Sequence, residues 1–462
     1  MIAPRGGTLA TVWLAGASLV FYAYWGTEQV WILLGSITGN YLSGLAIAHR
    51  TRLKLPKKAV LILAVAANLS LLGYFKYYGF FTSNVAAIFG VSSSVSSVGL
   101  PLGISFFTFT QIAYLMDVYR GKVCEFTLLN YFLFVSYFPH LIAGPILHHA
   151  EMIPQFRSAN YAFRIERLTV GLTIFIVGLF KKVVLADSVS VYVGPVFASP
   201  DVTLVEAWLG ALSYTLQIYF DFSGYTDMAI GISYLFGIRL PLNFNSPYKA
   251  VSIVEFWRRW HMTLSRFLRN YLYIPLGGNR RGRARRYFNL LATMALGGLW
   301  HGANWTFVIW GTLHGIYLVI NHAVSALAEW SGWPCNGLGW RVSGQAATFL
   351  AVVFAWVFFR AESVGSAIAM VRAMAGLNGK GLSPPPISLG APASFVGMLL
   401  LIVFLAPNTQ QIMARFRPQL DEVAPARLSW EPDVRSAIAV SIMAAVALTM
   451  MIRESPFLYF RF

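Results

Sequence analysis

Two histidines sit where a proton could be moved inside an otherwise oily chain: His301, in "ALGGLWHGANW", and His261, in "FWRRWHMTLSRF". Burial disfavours the charged form of an imidazole, so a histidine in apolar surroundings stays neutral and keeps a lone pair to offer. That state suits a general base acting on a hydroxyl. His301 lies within residues 287–328, which hold no Asp, Glu, Lys or Arg and are too long for one ordinary span. A break is expected near Gly302-Ala303-Asn304. Fifteen residues separate Arg286 from His301, or about 22 Å of helix at ~1.5 Å per residue. A hydrocarbon core is about 30 Å thick. With Arg286 at the cytoplasmic boundary, His301 therefore lies near or beyond the midplane. Polar groups at that depth are costly and mark function by default; the plainer alternative is a histidine that bonds a neighbouring helix.

Trp257, His261, Leu264 and Leu268 recur with the period of one helical face. Arg258, Arg259, Arg266 and Arg269 lie mostly away from it, which predicts an amphipathic interfacial helix ended by Pro275 and the pair Gly277–Gly278. His261 then points with the apolar residues, as a hydrogen-bonded core group or as part of a site. His314 lies thirteen residues beyond His301, about 220° around an ideal helix, and is expected to face elsewhere. A metal site at His140, His148 and His149 needs a further ligand that the sequence does not identify, and no metal is expected. In "YFDFSGYTDMAIG", Asp221 and Asp227 flank Ser223 and Gly224. The stretch lacks the G-x-S-x-G elbow of a serine nucleophile. It reads as a structural turn whose carboxylates could pair with nearby arginines.

Those arginines form a tract. Residues 258–286 hold nine of them, including Arg280, Arg281 and Arg283, and no Asp or Glu occurs from Phe256 to Ala328. One reading is an orientation signal that also touches anionic lipid. The other is a landing site for the phosphates of an anionic donor such as a coenzyme A thioester. The two are compatible.

The elements that must position these residues are set by composition. Of 462 residues, 57% are hydrophobic and only 11% charged, against about 25% charged in an ordinary soluble domain. The chain reads as an all-α, polytopic transmembrane bundle of about 11–13 membrane segments, some re-entrant, in a single integral-membrane domain over residues 1–462. Spans are expected near 8–25, 29–48, 57–80, 100–118, 126–146, 168–187, 203–220, 225–240, 287–301, 303–325, 344–360, 392–406 and 434–452. The first reads as a retained span, since no cleavage site follows it. The net charge of +17 is better explained by positive cytoplasmic loops, such as 49–58, than by nucleic acid, which is not an expected partner. Cys124 and Cys335 are too few for a disulfide framework and lack metal spacing. No repeat of fixed period is present, which argues against a transporter of lipid-linked sugars.

Four ordered blocks carry a resemblance: "YFDFSGYTDMAIGISYLFGIRLPLNFNSPY", "FWRRWHMTLSRFLRNYLYIPLGGNR", "GGLWHGANWTFVIWGTLHG" and "AWVFFRAES". Together with the ending "SPFLYFRF" they resemble the membrane-bound O-acyltransferases, in the branch of bacterial alginate O-acetyltransferases. The family-like core runs over about residues 100–360, with C-terminal helices over 344–462. The resemblance implies helices around a central tunnel or funnel, with His301 as the catalytic histidine and His261 as the second, which would orient His301 or hydrogen-bond the thioester carbonyl. It also implies a bacterial inner-membrane enzyme that takes an acyl group from a cytoplasmic thioester, acetyl-CoA or another, with no tightly bound cofactor. The acceptor is an exported, alginate-like polysaccharide, reached with a periplasmic esterase-like partner. Peptidoglycan, cellulose or teichoic acid (the last by D-alanyl transfer) are alternative acceptors. Asn270 stands where the branch commonly has aspartate.

The tract should be cytoplasmic, because so many arginines without a nearby acid resist translocation. Single cysteines placed at Arg281 and Arg283, in a background lacking Cys124 and Cys335, are expected to be protected from an impermeant thiol reagent in intact spheroplasts. Labelling there would overturn the orientation.

Overall fold

The computed structural model of the chain describes residues 3–49, 55–91, 99–123, 126–142, 144–158, 161, 163–199, 201–332, 337–377, 390–451 and 458. Cys124, Cys335, most of the connector 381–392, parts of the loops 49–58 and 83–99, and "SPFLYFRF" apart from Leu458 lie outside the described residues. Regular structure is helical throughout, with no β-strand among the described residues. Among the described residues, five helices are long and apolar enough to cross a membrane: Thr27–Ile47, Lys57–Phe89, Ile165–Ala198, Trp305–Ser331 and Leu338–Arg360. Shorter apolar helices such as Gly390–Leu405 and Val434–Met450 accompany them. The expected all-helical, multi-pass architecture is observed.

Contacts divide the chain into two compact units. One comprises Met1–Leu172, Ala229–Pro241 and Pro418–Asp421. Lipid tails give apolar helices no hydrophobic reason to associate, so close packing and buried hydrogen bonds must hold them. Both occur here. Asn40 and Asn68 exchange side-chain amide hydrogen bonds at 3.1 and 2.6 Å, and Gln111 donates to Ser36 Oγ at 2.8 Å. His140 Nε2 lies 3.1 Å from the Phe134 carbonyl oxygen, while the His149 ring packs on Tyr114 and Phe134. His140 and His149 are thus built into the packing of this unit.

The other unit comprises Thr173–Met228, Leu242–Arg417 and Glu422–Phe462. It contains both His261 and His301. Its centre is a dense aromatic core that includes Phe256, Trp257, Trp260, Trp310, Trp356 and Phe359. Large rings bury much area and meet edge to face, which fixes their mutual angles. Residues 203–240, expected as two spans around a turn, form instead one continuous helix as far as Leu235, Leu204–Leu235. Gly224 makes no turn: a Cβ there would stand 2.7 Å from the Gly178 carbonyl oxygen, and one on Gly178 would stand 2.5 Å from that of Gly224. The glycine serves the close approach of two helices.

A second close approach locks the helices Gly282–His301 and Trp305–Ser331 together. A Cβ on Gly298 would run into the Phe307 carbonyl oxygen and sit 3.1 Å from Gly311 Cα, and one on Gly311 would run into the Met294 carbonyl oxygen. Gly302 is occupied in the same way by the Phe307 ring. The small residues beside His301 suggest, from sequence, open room for a substrate path; at these positions they are filled by neighbouring backbone and side chain. Gly298→Ala is therefore expected to lower the thermal stability of the purified protein, despite alanine's better helix propensity. Overpacking costs about 1–3 kcal/mol against a propensity gain of about 1 kcal/mol. An unchanged or raised melting temperature would contradict this packing.

Candidate active site

His301 is the last residue of the Gly282–His301 helix. The chain opens at Gly302 and restarts at Trp305, as expected for a break at 302–304. Asn304 makes the restart possible. Its side-chain oxygen accepts from the Thr306 N–H at 3.0 Å, capping the new helix, and its amide nitrogen donates to the Glu362 carbonyl at 2.9 Å. The His301 ring is 5% exposed and walled by Trp300, Trp310 and Phe359, with centroids at 4.9, 5.1 and 5.3 Å. Three helices thus contribute to one imidazole's position.

His261 reaches the same place by a different route. Its centroid is 6.3 Å from that of His301, and it is 0% exposed. The single amphipathic helix expected across it is not formed. Two short helices, Ile253–Arg259 and Met262–Leu268, flank an extended Trp260 and a left-handed His261 at φ 42°, ψ 53°. The cause lies outside the helix. The Asn243 backbone carbonyl accepts from the Met262 N–H at 3.0 Å, and Asn243 Oδ1 accepts from the Thr263 N–H at 3.3 Å and the Thr263 hydroxyl at 2.9 Å. First-turn N–H groups lack intrahelical partners; Asn243 supplies them, so the chain can afford to break at His261. The same Oδ1 lies 3.1 Å from His261 Nδ1. Phe222 closes the ring from its edge at 4.9 Å and 83°. No hydrogen bond joins the two histidines, and among the described residues His261 Nε2 is buried without a hydrogen-bond partner. Burial of this kind disfavours the charged form of an imidazole.

His314 belongs to the surrounding frame. Trp257 Nε1 donates to its Nδ1 at 3.3 Å, and it stacks on Phe256. His301 and His314 each pack on Trp310, at 5.1 and 5.0 Å. The carboxylates also form a frame, but not with the arginines that the sequence offered. Lys181 pairs with Asp227 at 2.6 Å, and Lys182 with Asp187 and Asp221, each at 2.7 Å. Asp227 further accepts from Thr409 and Gln410, at 2.7 and 2.9 Å. The lysines win because a close helix contact, through Gly178 and Gly224, sets them directly beside these carboxylates.

Arg280, Arg281 and Arg283 are exposed around the start of the helix that ends in His301. Arg286 instead turns inward to His322, at 2.9 Å. The helix has 20 residues, so its two ends lie about 30 Å apart. One element thus carries a cationic surface at one end and a buried imidazole at the other. Among the described residues, no three His, Cys, Asp or Glu gather as a metal would require.

The sequence profile of the membrane-bound O-acyltransferase family matches residues 125–364, a segment that includes His261, His301 and the arginines between them. The chain belongs to that family. It is a membrane-embedded O-acyltransferase. Similar proteins include a peptidoglycan O-acetyltransferase of Helicobacter pylori, 47% identical over 399 residues, 80% of this chain and 75% of that one. A probable alginate O-acetylase of Pseudomonas putida is 40% identical over 460 residues, covering 96% and 93%. A teichoic acid D-alanyltransferase of Bacillus subtilis is 28% identical over 275 residues, covering 56% and 66%.

Asn243, Phe222, Trp310 and Phe359 surround the two histidines of the candidate site, and sequence reasoning singled out none of the four. All four lie inside the motif blocks that carry the family resemblance, but no spacing within the blocks singles them out. Asn243 stands 18 residues before His261 in a loop with no periodicity, and the rings are indistinguishable by type from the many aromatics of the core.

Proposed function

We propose that the enzyme moves an acetyl group from a cytoplasmic thioester, acetyl-CoA being the natural donor, to a hydroxyl of an exported polysaccharide outside the inner membrane. The observation that carries this reading is the Gly282–His301 helix, with exposed Arg280, Arg281 and Arg283 at one end and the buried His301 at the other. Guanidinium groups suit the donor's phosphates. A thioester whose phosphates stay at the arginines must extend its acetyl end inward to reach the imidazole. There His301, as general base, takes the proton of the acceptor hydroxyl. The hydroxyl oxygen bonds to the acetyl carbon, the carbon–sulfur bond breaks, and the departing thiolate recovers the proton.

The acceptor class rests on the relatives. Similarity to the probable alginate O-acetylase along 96% of this chain favours an alginate-like polymer, received with the help of a periplasmic esterase-like partner. The 47% identity with the Helicobacter peptidoglycan O-acetyltransferase favours a second reading, the glycan strands of peptidoglycan. D-alanyl transfer has less support, because those relatives are less similar over a shorter stretch.

Membrane vesicles supplied with labelled acetyl thioester and either alginate or peptidoglycan glycan would separate these readings. His301→Ala is expected to reach normal abundance in the membrane and to lose about 10²–10⁴-fold in transfer rate. Near-normal transfer by the variant would remove His301 from the chemistry. Absence of acetyl transfer by the wild type to either polymer would remove the proposed reaction.

A further inference from the structure

Asn243 and His261 carry more information than their proximity. The atom of Asn243 that faces Nδ1 also receives the Thr263 backbone N–H, at 3.3 Å. A backbone N–H can only donate, which assigns that atom as the amide oxygen of Asn243. An amide oxygen can only accept. The 3.1 Å contact with His261 Nδ1 therefore requires the proton on Nδ1. A neutral imidazole carries one proton, so Nε2 is left as a bare lone pair. It is buried, and among the described residues it has no hydrogen-bond partner. Buried polar atoms are almost always paired, and an orphan calls for a partner that arrives from elsewhere.

We infer that Asn243 is a positioning residue that locks His261 with its proton on Nδ1, and that Nε2 receives a hydrogen bond from a donor on the acceptor molecule, next to the reacting hydroxyl. The chemistry of the two substrates decides between them. The acetyl thioester group has a carbonyl oxygen and a sulfur, neither of which can donate, so the locked tautomer cannot bind its carbonyl. A sugar offers a neighbouring hydroxyl or amide N–H. With the two imidazole centroids 6.3 Å apart, His301 can take the reacting proton while His261 holds the adjacent group. The acceptor is thereby selected as a molecule with two vicinal donors. His301 is the titratable ring in contact with His261, and Phe222, Trp300 and Asn243, which also face it, do not titrate. The identity of the donor rests on the acyl-transfer reading; the tautomer does not.

The test therefore has an arm that needs no activity. In histidine-labelled full-length protein in nanodiscs, nitrogen NMR, with the His261 signals assigned by their loss in His261→Gln, is expected to show a protonated Nδ1 and an unprotonated Nε2. A proton on Nε2 would overturn the inference even if the enzyme transfers acetyl normally. In the second arm, Asn243→Leu removes the acceptor and is expected to lower kcat about tenfold or more, as loss of a tautomer-fixing partner does elsewhere. Asn243→Asp keeps an acceptor and adds a charge that favours imidazolium. It is expected to restore much of the activity while moving the acid limb of kcat/KM to higher pH. Wild-type kinetics in Asn243→Leu, or an acid limb unmoved in an active Asn243→Asp, would overturn the role. An acceptor lacking the group beside the reacting hydroxyl should raise KM for wild type and leave it unchanged for Asn243→Leu; equal KM values for both acceptors with wild type would discard the two-donor requirement.

Discussion

The approach of Gly298 to Gly311 leaves no room for a side chain on either, and much else follows from that. In lipid, helices gain little by hiding apolar surface from one another, so contact must come from backbones that touch. Here the contact sits three residues before His301 and one residue after Trp310. Fixing the two helices at that point fixes the imidazole against the indole. A looser contact would let the end of one helix slide along the other, and the wall around His301 would lose its shape. The His301 imidazole is held by the main chain first and by its aromatic neighbours second.

A separate device handles charge. Lys181 and Lys182 face Asp187, Asp221 and Asp227 in one partly buried cluster, with Thr409 and Gln410 supplying further donors. Removing a single partner from such a group strands a charge and is far more damaging than never having built it. The cluster therefore ties the Leu204–Leu235 helix to the segment around Thr409 while keeping its carboxylates away from the arginine tract. Arg280, Arg281 and Arg283 stay exposed around the start of the Gly282–His301 helix.

Much of this was legible in the residues. The uncharged run 287–328 announced a break after His301, and the glycine and asparagine at 302–304 located it. Composition was sufficient for an all-helical membrane protein, and four ordered motifs for its family. Reading failed where distant segments decide local shape. Periodicity made residues 257–268 one helical face, but a loop asparagine 18 residues upstream of His261 pays for the break. Likewise, Gly224 looked like a turn because its helical neighbour, Gly178, lies far away in sequence. The partners of Asp221 and Asp227 were misjudged for the same reason: charge alone offered arginines, and packing delivered lysines.

The left-handed backbone at His261, φ 42° and ψ 53°, a conformation shared by Ser246 and Arg417, weighs on which residues sit easily at that position. Branched and bulky side chains are strained in this region, whereas glycine, asparagine, aspartate and histidine enter it most readily. Glycine has no side chain to offer, and at neutral pH aspartate would bring a second acceptor against the Asn243 oxygen. Asparagine and histidine can both donate to that oxygen, but asparagine spends its amide group close to the main chain. Only histidine spends one nitrogen on Asn243 and still holds a second, basic nitrogen across the ring. The turn thus favours a small group of side chains, of which histidine alone reaches Asn243 with one ring nitrogen and keeps another beyond it.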